Sequence, residues 1–202
     1  MQEQWKSILH NYSINQENQV EHLEGYFHKV DNFIDVSSPL LHCLELGTVI
    51  DRYVSDQTIL EYYLFQDVNT VKTLFTKNYC KIPPTAILYA HIIGEGLLAP
   101  HIDHGTFTCL NFYITANEDR TIFFEKKNPN GLGESYPGKA EANIFQLEDV
   151  KKVGQFIACD NESYLLNVSK IHCVHKINNT KRSFINFAWN NHTYEEVLEA
   201  LI

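Results

Sequence analysis

A chain of 202 residues, 44% hydrophobic and 20% charged, has the composition of a globular protein of one domain, with a core large enough to need no disulfide staples. A formal charge of −9 with scattered lysines and arginines gives no basic face for phosphate, which argues against nucleic acid as a partner. The opening MQEQWKSILHNY lacks a signal pattern, and no apolar run is long enough to span a bilayer. The five cysteines, with no C-x-x-C pair, point to reduced thiols, so the expected compartment is the cytoplasm, without a membrane partner.

Residues 1–84 carry mainly helical signals. In QENQVEHLEGYFHKVDNFI, Val20, Leu23, Tyr26, Phe27 and Val30 recur at spacings of three and four, the period of an amphipathic helix. Ser38-Pro39 has the form of a helix start, with proline at the first helical position. LLHCLELGTVIDRYV continues the apolar pattern, and TILEYYLFQDVNTVKTLF suits a strand or a further helix. The pattern changes after Pro83-Pro84. AILYAHII, TFTCLNFYIT, RTIFFEK, NIFQLE, GQFIACD, SYLLNV, KIHCVHKI and SFINFAWN are short runs rich in β-branched and aromatic residues, separated by turn-forming clusters. The expectation is a mixed α+β chain, mainly β: a sandwich or barrel of jelly-roll type over 85–192, with the N-terminal helices packed on it. Segment 126–142 is longer than a hairpin needs and is the expected lid.

The chemistry-bearing residues lie among these strands. In APHIDHG, His101 and Asp103 stand two apart, so one strand would point both at a single metal ion while His104 points elsewhere. In KIHCVHKINNTKRSFINF, His172 and His175 are separated by an odd number and cannot both face inward, and the same parity separates Lys181 from Arg182. With INNT as a hairpin turn, His172 and Arg182 fall on adjacent antiparallel strands and share one cavity. His175 is then a surface or supporting imidazole.

H-x-D, a distal histidine, and an arginine ten positions later on the last strand resemble the 2-oxoglutarate and Fe(II)-dependent dioxygenase superfamily. GEGLLAPHIDHG and SYLLNVSKIHCV…KRSFINF are similar to its iron-binding and closing segments, so the resemblance covers roughly residues 85–190. It implies a double-stranded β-helix. It also implies that His101, Asp103 and His172 hold ferrous iron, leaving positions open for 2-oxoglutarate and O2. Arg182 would clamp the distal carboxylate of 2-oxoglutarate through a two-pronged hydrogen bond. Further contacts to the co-substrate are expected from Asn111 and Tyr113, which share a strand face, from Asn186, and from Tyr89, where the family often places a phenol. Ser183 follows Arg182 directly, unlike the family's Arg-x-Ser subset, so that serine's role does not carry over. Asp103 occupies the position that halogenases leave small, which favours hydroxylation. An amino acid, a peptide side chain and a small natural product remain open as substrates. The alternatives are a zinc hydrolase, which would need His104 or His175 as a ligand, and a non-enzymatic binding protein of the cupin type.

Overall fold

The computed structural model of the chain describes residues 21–31, 33–35, 37–42, 44–55, 58–131, 134–135 and 142–202. It begins with β1 (His22–Leu23) and β2 (Phe27–Val30), followed by helix α1 (Pro39–His42), β3 (Leu46–Ser55), β4 (Thr58–Phe65) and helix α2 (Val68–Asn78). Next come β5 (Ala86–Gly94), β6 (Gly96–Leu97), β7 (His101–Asp103), β8 (Thr108–Thr115) and β9 (Arg120–Lys126). The order closes with β10 (Glu134–Ser135), β11 (Ala142–Ile144), β12 (Val150–Ile157), β13 (Ser163–Asn167), β14 (Ile171–Lys176), β15 (Arg182–Trp189) and helix α3 (Tyr194–Ala200).

The strands form two antiparallel sheets, one in the order β1-β2-β13-β8-β15-β5-β4-β3 and the other β10-β11-β7-β14-β9-β12, with β6 added beside β14. This mainly β arrangement with few helices is the layout of a double-stranded β-helix. One apolar cluster fills the space between the sheets, joining Phe27, Ala90, Cys109, Tyr113, Phe123, Phe156, Tyr164 and Phe184. A second lies on the far side of the eight-stranded sheet, where Val71 and Phe75 of α2 and Tyr194 and Val197 of α3 cover Ile87, Phe187 and Trp189. Because its central strands are covered on both faces, β15 (RSFINFAW) is buried at nearly every position instead of alternating between buried and exposed. Asp67 starts α2 by accepting the Thr70 N–H at 3.1 Å, and a reciprocal Thr193–Glu196 capping box starts α3.

Among its described residues, the N-terminal part has more strand than helix. Within the expected first helix, the described residues form the β1–β2 hairpin, turning at Gly25, whose φ of 73° is a left-handed conformation that glycine adopts without strain. Pairing with β13 and the packing of the fully buried Phe27 against Phe123 and Phe156 outweigh the helical spacing. Residues 46–54, read as an apolar continuation, lie in the long strand β3, which with β4 extends the sheet. The Ser38-Pro39 helix start is present as α1, and TILEYYLFQDVNTVKTLF contains both a strand and a helix. The described cysteines, Cys80, Cys109, Cys159 and Cys173, are free thiols, while Cys43 lies outside the described residues. Among the described residues no helix is long and apolar enough to cross a membrane.

Candidate metal centre

Strand parity brings the first two ligand candidates together, and strand pairing brings the third. His101 and Asp103 sit at the two ends of β7 and share a face; β14 runs antiparallel beside it with His172 directly opposite His101. The two imidazole rings lie 4.5 Å apart between centroids, and the ligand atoms of His101, Asp103 and His172 all fall within 4.8 Å of one another. His101 Nδ1 lies 2.8 Å from the Ala99 carbonyl oxygen and His172 Nδ1 lies 3.0 Å from that of Lys170. Assigning a proton to each Nδ1 satisfies both carbonyls and leaves each Nε2 with a lone pair for a metal ion.

The electrostatics suit a cation. Burial alone would disfavour a charged Asp103, yet hydrogen bonding to His101 and the nearby imidazoles hold its carboxyl below the ordinary carboxylate range. For His101, burial works against the charged form, but the carboxylate of Asp103, 3.4 Å from Nε2, outweighs it and raises the pKa. His172 is pushed down to about 4 by burial and then by the charge of His101.

His104 follows β7 in an exposed bend, and His175 stands on the opposite face of β14 from His172, opposite Leu97 and Arg120. Neither joins the cluster. A zinc set that needs one of them is not assembled among the described residues.

Across the space between the sheets, the inner face of the eight-stranded sheet carries Arg182, Phe184, Asn186 and Ala188 from β15 and Cys109, Asn111 and Tyr113 from β8, set side by side by their register. Arg182 is 1% exposed. Its Nη2 donates to Thr121 Oγ1 at 2.8 Å and its guanidinium lies 4.7 Å from the centroid of the Tyr113 ring. Its Nε and Nη1 are buried without a hydrogen-bond partner. A buried guanidinium with two unpartnered nitrogens is costly unless an anion completes it. Asn186 Nδ2 donates to Asn111 Oδ1 at 2.7 Å, and Asn111 Nδ2 donates to the Tyr113 hydroxyl at 3.5 Å. Beyond them on β8 lies Cys109, whose thiol is raised by burial and then by the charge of Asp103. A row of polar groups therefore runs along this wall from the neighbourhood of the triad to Arg182.

Two expectations need correction. Tyr89 is on β5 with Ile87 and His91, facing the helices, where its ring packs 5.8 Å from Tyr63; the inward positions of that strand are Ala90 and Ile92. Tyr89 cannot contact a ligand held between the sheets. β14 and β15 are not adjacent strands joined by a hairpin. They belong to different sheets, and residues 177–181 cross between them, so Arg182 faces the triad's cavity from the opposite wall. Lys181, on the other parity, lies with its Nζ 5.4 Å over the Tyr89 ring. Of the expected lid, residues 132–133 and 136–141 lie outside the described residues; its returning strand β11 pairs with β7, placing Ala142 opposite Asp103 and Ile144 opposite His101. The sequence reading passed over Thr121, Cys109 and Tyr62. The inward parity of β8 marks Cys109, but nothing local marks Thr121 as the partner of Arg182.

No family model matches the chain, and no curated protein matches it. Among solved structures, an oxidoreductase of the 2OG-Fe(II) oxygenase family from Burkholderia pseudomallei is similar with a TM-score of 0.47 and 7% identity, over 84% of this chain and 88% of that one. E. coli ycfD is similar with a TM-score of 0.45 and 12% identity, over 88% of this chain and 53% of that one. Bacillus subtilis oxalate decarboxylase is similar at 0.35 and 12%, over 71% of this chain and 29% of that one. At these scores the function has to be inferred from the geometry of the site itself.

Proposed function

We propose that the chain is a 2-oxoglutarate and Fe(II)-dependent dioxygenase that hydroxylates an unactivated C–H bond of an amino acid, a peptide side chain or a small natural product, releasing succinate and CO2. The observation that carries this reading is Arg182: a buried guanidinium with two unpartnered nitrogens, in the same inter-sheet space as a His-Asp-His cluster. An anion-binding arginine at one end of the cavity and a metal set at the other suit one molecule with a carboxylate at each end.

His101, Asp103 and His172 fit ferrous iron. They offer two neutral nitrogens and one carboxylate, the donor set of non-haem iron oxygenases, and leave coordination positions open. Bound there, iron supplies the activation of O2 that couples decarboxylation of the keto acid to hydroxylation. The hydrogen bonds from Nδ1 to the Ala99 and Lys170 carbonyls fix both rings and leave each Nε2 free to hold the ion. Arg182 would donate to the distal carboxylate of 2-oxoglutarate from its two unpartnered nitrogens, Nε and Nη1. Asn111, Asn186 and Tyr113 hold the middle of the molecule. The apolar side chains around them exclude water and strengthen the charge-assisted hydrogen bonds.

The test is anaerobic loading with Fe(II), addition of 2-oxoglutarate and air, and measurement of succinate, with binding of Mn(II) followed separately. Alanine replacement of His101, Asp103 or His172 should abolish both metal binding and succinate formation, whereas His104→Ala and His175→Ala should retain both. Metal bound by the triad without any succinate would leave a cupin-like binding protein. Loss of the metal on His175→Ala but not on His172→Ala would overturn the ligand set.

A further inference from the structure

Beyond Arg182, β3 and β4 extend the inner wall toward the edge of the eight-stranded sheet with residues that neither the metal nor the co-substrate uses. Asp51 pairs with Tyr62 and Tyr53 with Leu60, while Tyr62 also pairs with Ala90 of β5. Ala90 is buried between the sheets, and Tyr53, Leu60 and Tyr62 pack against the same cluster. Directly opposed residues of antiparallel strands share a face, so Asp51, Tyr53, Leu60 and Tyr62 all look into the inter-sheet space. Arg52 and Glu61 alternate to the other face, where Glu61 meets Arg52 at 3.3 Å and His91 at 2.8 Å. The wall is close to the triad: the Tyr62 phenol is raised by burial and then by the charges of Asp103 and, further down, Asp51.

The charge that β3 and β4 turn inward is of one sign, with Arg182 lying on the same face two strands beyond Leu60, across Ile92. Among the described residues Asp51 is in no ion pair; its carboxylate accepts the Arg52 backbone N–H at 2.8 Å. No lysine or arginine side chain of β3 or β4 faces inward, and Lys181 lies over Tyr89 on the outer face. A carboxylate beside two phenol rings is a receptor for a cation, which gains from the charge and from the ring faces together. We propose that the substrate carries an ammonium or guanidinium group, held by Asp51 between Tyr53 and Tyr62, with the carbon to be oxidised directed toward the triad. The oxidation rests on the dioxygenase reading; the binding does not.

The experiment therefore reads binding alone, without iron or 2-oxoglutarate. The full chain is titrated with Nα-acetyl-arginine methylamide and Nα-acetyl-lysine methylamide, and with their neutral citrulline and Nε-acetyl-lysine counterparts, by ligand-observed saturation-transfer NMR. At least one charged probe should bind about tenfold more tightly than its neutral partner, a preference that weakens as salt is added. Asp51→Asn should erase the preference and Asp51→Lys reverse it. Tyr62→Phe, which keeps the ring, should retain most of it, and Tyr62→Leu should lose it. Glu61→Gln, on the outer face of the same strands, should change nothing. Melting curves of each variant establish folding, and the two Asp51 variants are independent of one another. Equal affinity for charged and neutral probes, or a preference that survives both Asp51 replacements, would overturn the proposal. Failure to form succinate would count against the dioxygenase reading and leave this result untouched.

Discussion

At the scale of single residues, Arg182 is the most informative side chain in the molecule. Its neighbours supply one hydrogen bond and one ring face, while its remaining buried N–H groups lack a partner. Completing such a group with a carboxylate contributes roughly 2–5 kcal/mol, so Arg182→Met should lower 2-oxoglutarate affinity about thirtyfold or more while Mn(II) binding persists. Arg182→Lys should recover only part of this, because a point charge cannot form the paired hydrogen bonds. Lys181→Ala, one position away and facing outward, should leave the affinity within twofold. Equal losses in Arg182→Met and Lys181→Ala, measured by calorimetry, would refute the assignment. The inward parity of Arg182, His101, Asp103 and His172 was legible in the sequence because side chains alternate along a strand whatever the strand pairs with. The outward position of Tyr89 was not, since the parity of β5 depends on its register with β15 and β4.

At the scale of elements, the crossing from β14 to β15 decides where Arg182 points. Lys176 at the end of β14 and Asp119 in the β8–β9 turn are both fully buried, with Nζ and Oδ2 2.5 Å apart. Lys176 Nζ also donates to the Thr180 carbonyl, and Asp119 Oδ1 accepts the Ile177 N–H at 3.0 Å. Asn117, in the same turn at a φ of 56°, donates to the Lys181 carbonyl. Residues 177–181 are thus fastened to a turn of the neighbouring strands just before Arg182. Lys176→Met strands a buried carboxylate and should destabilise the fold by about 3–5 kcal/mol. The double replacement Lys176→Met, Asp119→Leu should regain much of that stability in denaturant unfolding, yet still weaken 2-oxoglutarate binding because the crossing loses its anchor. If the double variant is no more stable than the single one, the pair is not the source of the loss. Nothing in KINNTK distinguishes this crossing from a hairpin. Its turn-forming residues serve either, and the choice falls to Asp119, which is 57 residues away.

At the scale of the whole molecule, the proposed chemistry is divided between two sheets: the triad stands on β7 and β14, and Arg182, Asn111 and Asn186 on β15 and β8. A metal ion held by the triad would touch only the first sheet, whereas 2-oxoglutarate bound to that ion would span both. Binding to the native state raises stability by mass action, by about 2.7 kcal/mol at a hundredfold excess over Kd. Mn(II) should therefore raise the melting temperature, and 2-oxoglutarate should raise it further only when Mn(II) is present. The second increment should vanish in Arg182→Met. A full 2-oxoglutarate increment without metal, seen by calorimetry, would mean that the co-substrate binds away from the triad.

By itself, the sequence determined the mainly β core after Pro83-Pro84, the shared face of His101 and Asp103 in HID, and the opposite faces of His172 and His175 and of Arg182 and Lys181. These follow from local alternation, β-branched runs and turn residues, which act over a few positions. Only the tertiary structure decided the rest. Residues 22–30 became a hairpin because β13 and the core around Phe27 offered more than a solvent-exposed helix could. β3 and β4 became strands because the edge of β5 was open to pairing, and that extension brought Asp51 and Tyr62 toward the triad. The sheet to which each strand belongs, and hence which residues face each other across the cavity, is set by hydrogen bonds between segments distant in the chain. Such pairings leave no periodic mark on either segment alone.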